Sequence, residues 1–204
     1  ISDVSSLASL TSLSLLYLPK NQISDVSPLV SLTNLIMLDL AGNPLSQESI
    51  DTHVPNLRAR GVRVDHSVPD ELAKLVAKPP PAAPKPAAPA AAPAPAPAPV
   101  SLLPTPTPAL TPTNTQVPAQ ATVNFPDAGL DAAIREALGK ATQDEITAEE
   151  LATLEKLDAH DRGIQDLTGL EYATNLTTLS LWGNNQVSDV SPLASITNLT
   201  SLYL

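Results

Sequence analysis

Ile1, Asp3, Leu7, Leu10, Leu13, Leu16, Leu18 and Asn21 recur 22 residues later as Ile23, Asp25, Leu29, Leu32, Leu35, Leu38, Leu40 and Asn43. A period between roughly 20 and 50 residues signals a solenoid, because a unit that small cannot bury its own apolar face and must stack on a neighbour. A stacked array offers an extended surface more readily than an enclosed pocket. Recognition is therefore the expected role, ahead of catalysis.

The same grid returns near the C-terminus, where Ile164, Asp166, Leu170, Leu176, Leu179 and Leu181 lead into Val187, Asp189, Leu193, Ile196, Leu199, Leu202 and Leu204. One extra residue falls between Leu181 and Val187, which predicts a bulged turn at 182–186. The pairs Leu16/Leu18, Leu38/Leu40, Leu179/Leu181 and Leu202/Leu204 alternate with period two, as short strands with one buried face require. Asn21, Asn43 and Asn184 follow the strands, and stacked amides at that spacing would form a ladder of turn hydrogen bonds. Ser27-Pro28 and Ser191-Pro192 put a hydroxyl before a proline, which predicts hydroxyl-capped helix starts. So few residues remain before the next strand that each helix should be a 3₁₀ turn.

Asn21-Gln-Ile-Ser-Asp-Val-Ser-Pro-Leu-Val-Ser-Leu-Thr-Asn-Leu-Ile-Met-Leu-Asp-Leu resembles the leucine-rich repeats of the bacterial internalin type, over about 1–45 and 150–204. The resemblance extends to the flanks. Leu130, Ile134 and Leu138 share one helical face before Gly139, and Thr147-Ala-Glu-Glu150 reads as a capping box, so 123–157 looks like a two-helix N-terminal cap. Ile50, Val54 and Leu57 share a face between about 47 and 60, with Arg58 and Arg60 placed to complement the helix dipole. Pro55 should divide that helix, Gly61 ends it and Val62-Arg63-Val64 reads as a last strand, so 46–64 looks like a helical C-terminal cap.

The predicted fold class is thus an α/β solenoid of leucine-rich repeats with short parallel strands and 3₁₀ turns. Its caps come in reverse order. Residues 1–66 read as the C-terminal part of one repeat domain, 67–122 as a linker, and 123–204 as the N-terminal cap and first repeats of a second. A fragment of a longer tandem array fits this order. So does a circular permutant, although joining Leu204 to Ile1 lacks the four residues that Pro19-Lys20-Asn21-Gln22 supply between Leu18 and Ile23. A third explanation docks the strand at Leu16–Leu18 beside that at Leu202–Leu204, making one permuted solenoid. Between 79 and 118 lie fifteen of the 22 prolines and one charge, Lys85, so the linker reads as a disordered, extended polyproline II spacer reaching about 3 Å per residue. Pro69 to Ala77 reads as one weak helix.

The net charge of −10 argues against nucleic acid or an anionic membrane surface as partner. There is no cysteine, so disulfides and Cys-based metal sites are excluded, and no apolar run is long enough to span a membrane. His53, His66 and His160 are dispersed; Asp158 and His160 point the same way from a strand but lack further convergent ligands. Glu149 and Glu150 suit a helix N-terminus better than acid-base chemistry. No glycine-rich phosphate loop or oxyanion arrangement stands out. No catalytic residue, metal or cofactor is expected.

The residues between the buried leucines face outward, and three of the five aromatics fall among them. Tyr17, Met37, Asp39, Asp158, His160, Ser180, Trp182 and Tyr203 are the candidate partner-binding residues on the concave strand face. Exposed tyrosine and tryptophan are favoured anchors for protein partners. The resemblance implies a non-catalytic protein or ligand recognition module, extracellular or on the cell surface. An accessory targeting module of a larger enzyme and a structural stalk are the alternatives. Self-association through the open repeat ends is a further expectation.

Overall fold

The computed structural model describes residues 1–67 and 121–204. Six three-residue strands, β1 (Leu15–Tyr17), β2 (Met37–Asp39), β3 (Arg63–Asp65), β4 (Lys156–Asp158), β5 (Thr178–Ser180) and β6 (Ser201–Tyr203), form one sheet. Every pairing is parallel, and the order is β3-β2-β1-β6-β5-β4. The two repeat regions therefore lie in a single sheet, joined where Leu15, Leu16 and Tyr17 register with Ser201, Leu202 and Tyr203. The spacer and the weak helix expected at 69–77 lie outside the described residues. Ser67 and Ala121 both hydrogen-bond into the folded part, the Ser67 carbonyl accepting from Gly42 and that of Ala121 from Ala148.

Only the central residue of each strand is buried, as strict alternation demands. Leu16, Leu38, Leu179 and Leu202 are fully enclosed, and one continuous apolar core runs through both regions. Opposite the sheet, 3₁₀ turns at Ser5–Ser9, Ser27–Ser31, Leu170–Tyr172 and Ser191–Ser195 stack in a row. Their starts are not capped by Ser27 or Ser191, which sit inside the turns without any capping bond. The carboxylates two residues earlier do that work: Asp3, Asp25 and Asp189 accept from the backbone N–H of Ser5, Ser27 and Ser191 at 2.8 Å. A carboxylate two residues nearer the chain's entry reaches the free N–H that a serine already in the turn cannot.

Asn43 and Asn184 are the buried amides of the turns. Asn43 Nδ2 donates to the carbonyls of Leu18 and Leu40, and its Oδ1 accepts from the Ile23 N–H. Asn184 repeats the pattern with Ala159, Leu181 and Ile164. The extra residue follows Asn184, so the amide keeps its place and the insertion is taken up in 185–186. The residue before each asparagine is left-handed: Lys20 (φ 56°), Gly42 (φ 76°) and Gly183 (φ 83°).

α2 (Ala128–Leu138) is capped by Asp127 and ended by Gly139 in the left-handed region, and α3 (Ala148–Leu151) carries the expected capping box of Thr147 and Glu150. The helical segment after β2 departs from expectation. A wide π-type turn at Ser49–His53 precedes α1 (Val54–Ala59), with Pro55 in the first turn of α1. The wider winding turns Ile50 outward and Ser49 inward; Ser49 Oγ donates to the Ser24 carbonyl at 2.9 Å and accepts from the Val26 N–H at 3.2 Å. Arg58 and Arg60 bind carbonyls of other elements, Val64 for the first and Val30 and Leu32 for the second. They pin the helix to its neighbours rather than serving its own C-terminus.

Candidate functional site

Two rows of side chains stand on the open face of the sheet. The strand register aligns Asp158, Ser180, Tyr203, Tyr17, Asp39 and Asp65 in one row, and Lys156, Thr178, Ser201, Leu15, Met37 and Arg63 in the other. At the centre, Tyr17 and Tyr203 stack with ring centroids 4.8 Å apart and planes 11° from parallel. That geometry follows from register in a parallel pair, where side chains at matching positions lie one strand spacing apart, about 4.8 Å. The Tyr17 hydroxyl donates to Met37 Sδ at 3.1 Å, tying the two rows together.

Trp182 lies just beyond β5 and is 57% exposed, the most exposed aromatic side chain among the described residues. Lys20, Asn21, Asp161 and Leu204 border the same open cavity of about 630 Å³ as Trp182. Beside this cavity, Asn21 Oδ1 accepts from the Ile1 amino group at 3.0 Å, and its Nδ2 reaches only the Pro19 carbonyl at 3.4 Å. The two short amide bonds that Asn43 and Asn184 make to strand carbonyls are missing there.

The acidic end is held by its own short-range bonds. His160 Nδ1 lies 2.6 Å from Asp158 Oδ1. The hydrogen bond from His160 holds the Asp158 carboxyl below its ordinary value, and the same contact raises the imidazole above its own. Asp39 accepts from the Ala41 N–H at 2.9 Å. Asp158 and His160 form an exposed pair at one end of the row, next to Ser180, which together with Tyr203, Tyr17 and Asp39 continues it across the sheet. Asp65 and Arg63 end the two rows at β3; the last strand expected at Val62-Arg63-Val64 is shifted by one residue to Arg63–Asp65, and neither residue was among those expected on the open face.

The family model described as "Leucine Rich repeats (2 copies)" matches residues 11–56, 152–195 and 174–204. Internalin J of Listeria monocytogenes serotype 4b is 41% identical over 61 residues, covering 30% of this chain and 7% of that protein. The chain belongs to the leucine-rich repeat proteins, and its repeats are of the internalin type. It spans only a small part of the curated relative it matches. Among solved structures, an internalin (inlF) from Listeria monocytogenes is 44% identical over 39% of this chain and 24% of its own, with a TM-score of 0.38. The CBM51-2 and INT domains of Clostridium perfringens ZmpB are 37% identical over 42% of this chain and 18% of theirs, also at 0.38. Within these internalin-type repeats, Asn175 and Asn198, whose sequence context matches a glycosylation pattern, donate their amides to the carbonyls of Ala152 and Thr174. They stitch neighbouring units together.

Proposed function

We propose that this leucine-rich repeat array is a non-catalytic recognition module of a surface or secreted bacterial protein. It binds a protein or other surface ligand across the open face of the sheet, the concave side of the solenoid. In this reading 46–64 and 123–157 cap the array and 67–122 tethers its two parts. The observation that carries it is the aromatic surface: a stacked Tyr17–Tyr203 pair at the middle of the sheet and the exposed Trp182, two residues past Ser180, the β5 residue in register with Tyr203. Rigid, half-exposed aromatic surface is what binding hot spots are made of, because it buries large area at little conformational cost. Met37, Asp39, Ser180, Asp158 and His160 surround it with polar and polarisable contacts. The similarity to internalins supports the same role.

The test compares the chain with Tyr17→Ala/Trp182→Ala/Tyr203→Ala on a displayed peptide library and a glycan array. Each anchor is worth about 2 kcal/mol or more at a true hot spot, so the triple variant should lose every signal, a fall above about 100-fold. Its urea midpoint should drop only modestly, since the stack itself contributes about 1 kcal/mol. Signals unchanged in the triple variant would refute the assignment of this face.

A further inference from the structure

The Tyr17–Tyr203 stack, over the β1–β6 seam, divides the open face into two halves of different chemistry. On one side β5 and β6 present the hydroxyls of Thr178, Ser180 and Ser201; on the other β1 and β2 present Leu15, Met37 and Asp39. The edge where the chain enters the strands divides in the same way. Thr177 Oγ1 donates to the Glu155 carbonyl at 2.8 Å, Thr200 Oγ1 to that of Thr177 at 2.9 Å, and Ser14 Oγ to that of Thr200 at 3.1 Å. Ile36 holds the same position before β2, has no hydroxyl to continue the series, and is 59% exposed. Leu15, Met37, Ile36 and Tyr17 thus gather the apolar surface on β1 and β2, and a gathered apolar patch rimmed by polar residues marks an interaction site.

A single charge accompanies that patch. Within the two rows, the cations Lys156 and Arg63 stand on the outermost strands β4 and β3, and the inner strands carry one charged residue, Asp39. Asp39 Oδ1 accepts from the Ala41 N–H, and no ion pair reaches its carboxylate among the described residues. Tyr203 covers one face of the Tyr17 ring, so the other is turned toward β2, where Asp39 lies in register one strand spacing away, about 4.8 Å. A carboxylate beside an aromatic face attracts a cation twice, through its charge and through the ring quadrupole. Building on the recognition role of the open face, we propose that the partner is a protein with an exposed extended segment carrying an arginine or lysine two positions from an aliphatic or aromatic residue. The basic side chain lies on the Tyr17 ring against Asp39, and the apolar one packs on Leu15 and Met37. The strands set this spacing. Leu15 to Tyr17 and Met37 to Asp39 are steps of two residues, about 6.7 Å, and an extended segment aligned with them repeats the same step.

A displayed library of random peptides is selected on the full chain, on Asp39→Asn and on Ile36→Thr/Met37→Gln. Asparagine keeps a side-chain oxygen for the Ala41 N–H, threonine is what other units place at the Ile36 position, and glutamine can accept from the Tyr17 hydroxyl as Met37 does. Both variants should therefore hold the wild-type urea midpoint. The wild type should enrich peptides with basic and apolar residues two positions apart. Asp39→Asn should lose the basic preference alone, and the double variant the apolar one alone. The most enriched peptide, titrated by fluorescence anisotropy, should bind Asp39→Asn about fivefold more weakly, with a smaller loss of affinity between about 0.05 M and about 0.5 M salt. Enrichment of acidic or neutral peptides, a basic preference that survives in Asp39→Asn, or wild-type affinity unmoved by salt would each overturn the proposal and leave the recognition role standing. Selection of no peptide, with or without glycan-array signals in its place, overturns it too. Signals that survive Tyr17→Ala/Trp182→Ala/Tyr203→Ala instead refute the recognition role of this face. If a variant fails to fold, the wild-type enrichment and its salt dependence decide.

Discussion

Asn21 and Asn43 occupy the same repeat position and differ in what the neighbouring unit supplies. Alanine at 43 removes the partner of two buried backbone groups, the Ile23 N–H and the Leu18 carbonyl; the Leu40 carbonyl keeps the Asn43 N–H at 3.2 Å. Each orphaned buried group costs about 1–3 kcal/mol, so Asn43→Ala should destabilise by about 3 kcal/mol. Alanine at 21 loses a 3.4 Å bond to Pro19 and one contact to Ile1 in a half-buried turn open to water, a cost below about 1 kcal/mol. With a urea slope of about 2 kcal/mol per molar, the midpoint should fall by about 1.5 M for Asn43→Ala and by less than about 0.5 M for Asn21→Ala. Urea unfolding followed by circular dichroism, with slopes compared to confirm that only stability changed, reads both. Equal midpoints, or a larger loss at Asn21, would show that the turn at the seam is as closed as the others.

A Cβ on Gly169, whose φ is +102°, would sit 2.5 Å from the Phe125 ring, so Gly169→Ala should cost about 2–3 kcal/mol, whereas Gly139→Ala, at φ +68° in open space, should cost only about 1 kcal/mol; thermal melts compare them. Burial works to raise the Asp127 pKa, but bonds from the N–H groups of Gln165, Leu130, Asp166 and Gly129 outweigh it and leave the carboxyl below 3.8. Asp127→Ala should therefore lose about 1 kcal/mol at neutral pH. Because a lowered folded-state pKa stabilises above the unfolded value, the gap to wild type should close as pH falls from about 3.8 through the lowered value. Proton NMR should find His160 titrating above 6.5, with any stabilisation from the pair complete below 6.5 and lost as pH rises through the raised value; Asp158→Asn should bring the titration back toward 6.5.

Much of this was legible in the linear pattern. The alternation around Leu16, Leu38, Leu179 and Leu202 specifies strands with one buried residue, because side chains on a strand must alternate faces. The left-handed stop at Gly139 and the box at Thr147–Glu150 are short-range chemistry, readable wherever the residues lie within one turn. Features set by winding or by a distant partner were not. The inward rotation of Ser49 goes with a π-type turn and with hydrogen bonds to Ser24 and Val26, more than 20 residues away, and the capping role of Asp25 over Ser27 depends on which peptide is the last one free.

The 22-residue period alone determined that the chain must stack, since no unit can enclose its own leucines. It left open which unit stacks on which, because every repeat presents nearly the same edge. Only the tertiary structure decided that β1 lies on β6. That pairing makes one sheet and one core from two regions in reversed order, brings Tyr17 onto Tyr203, and leaves the turn at Asn21 open.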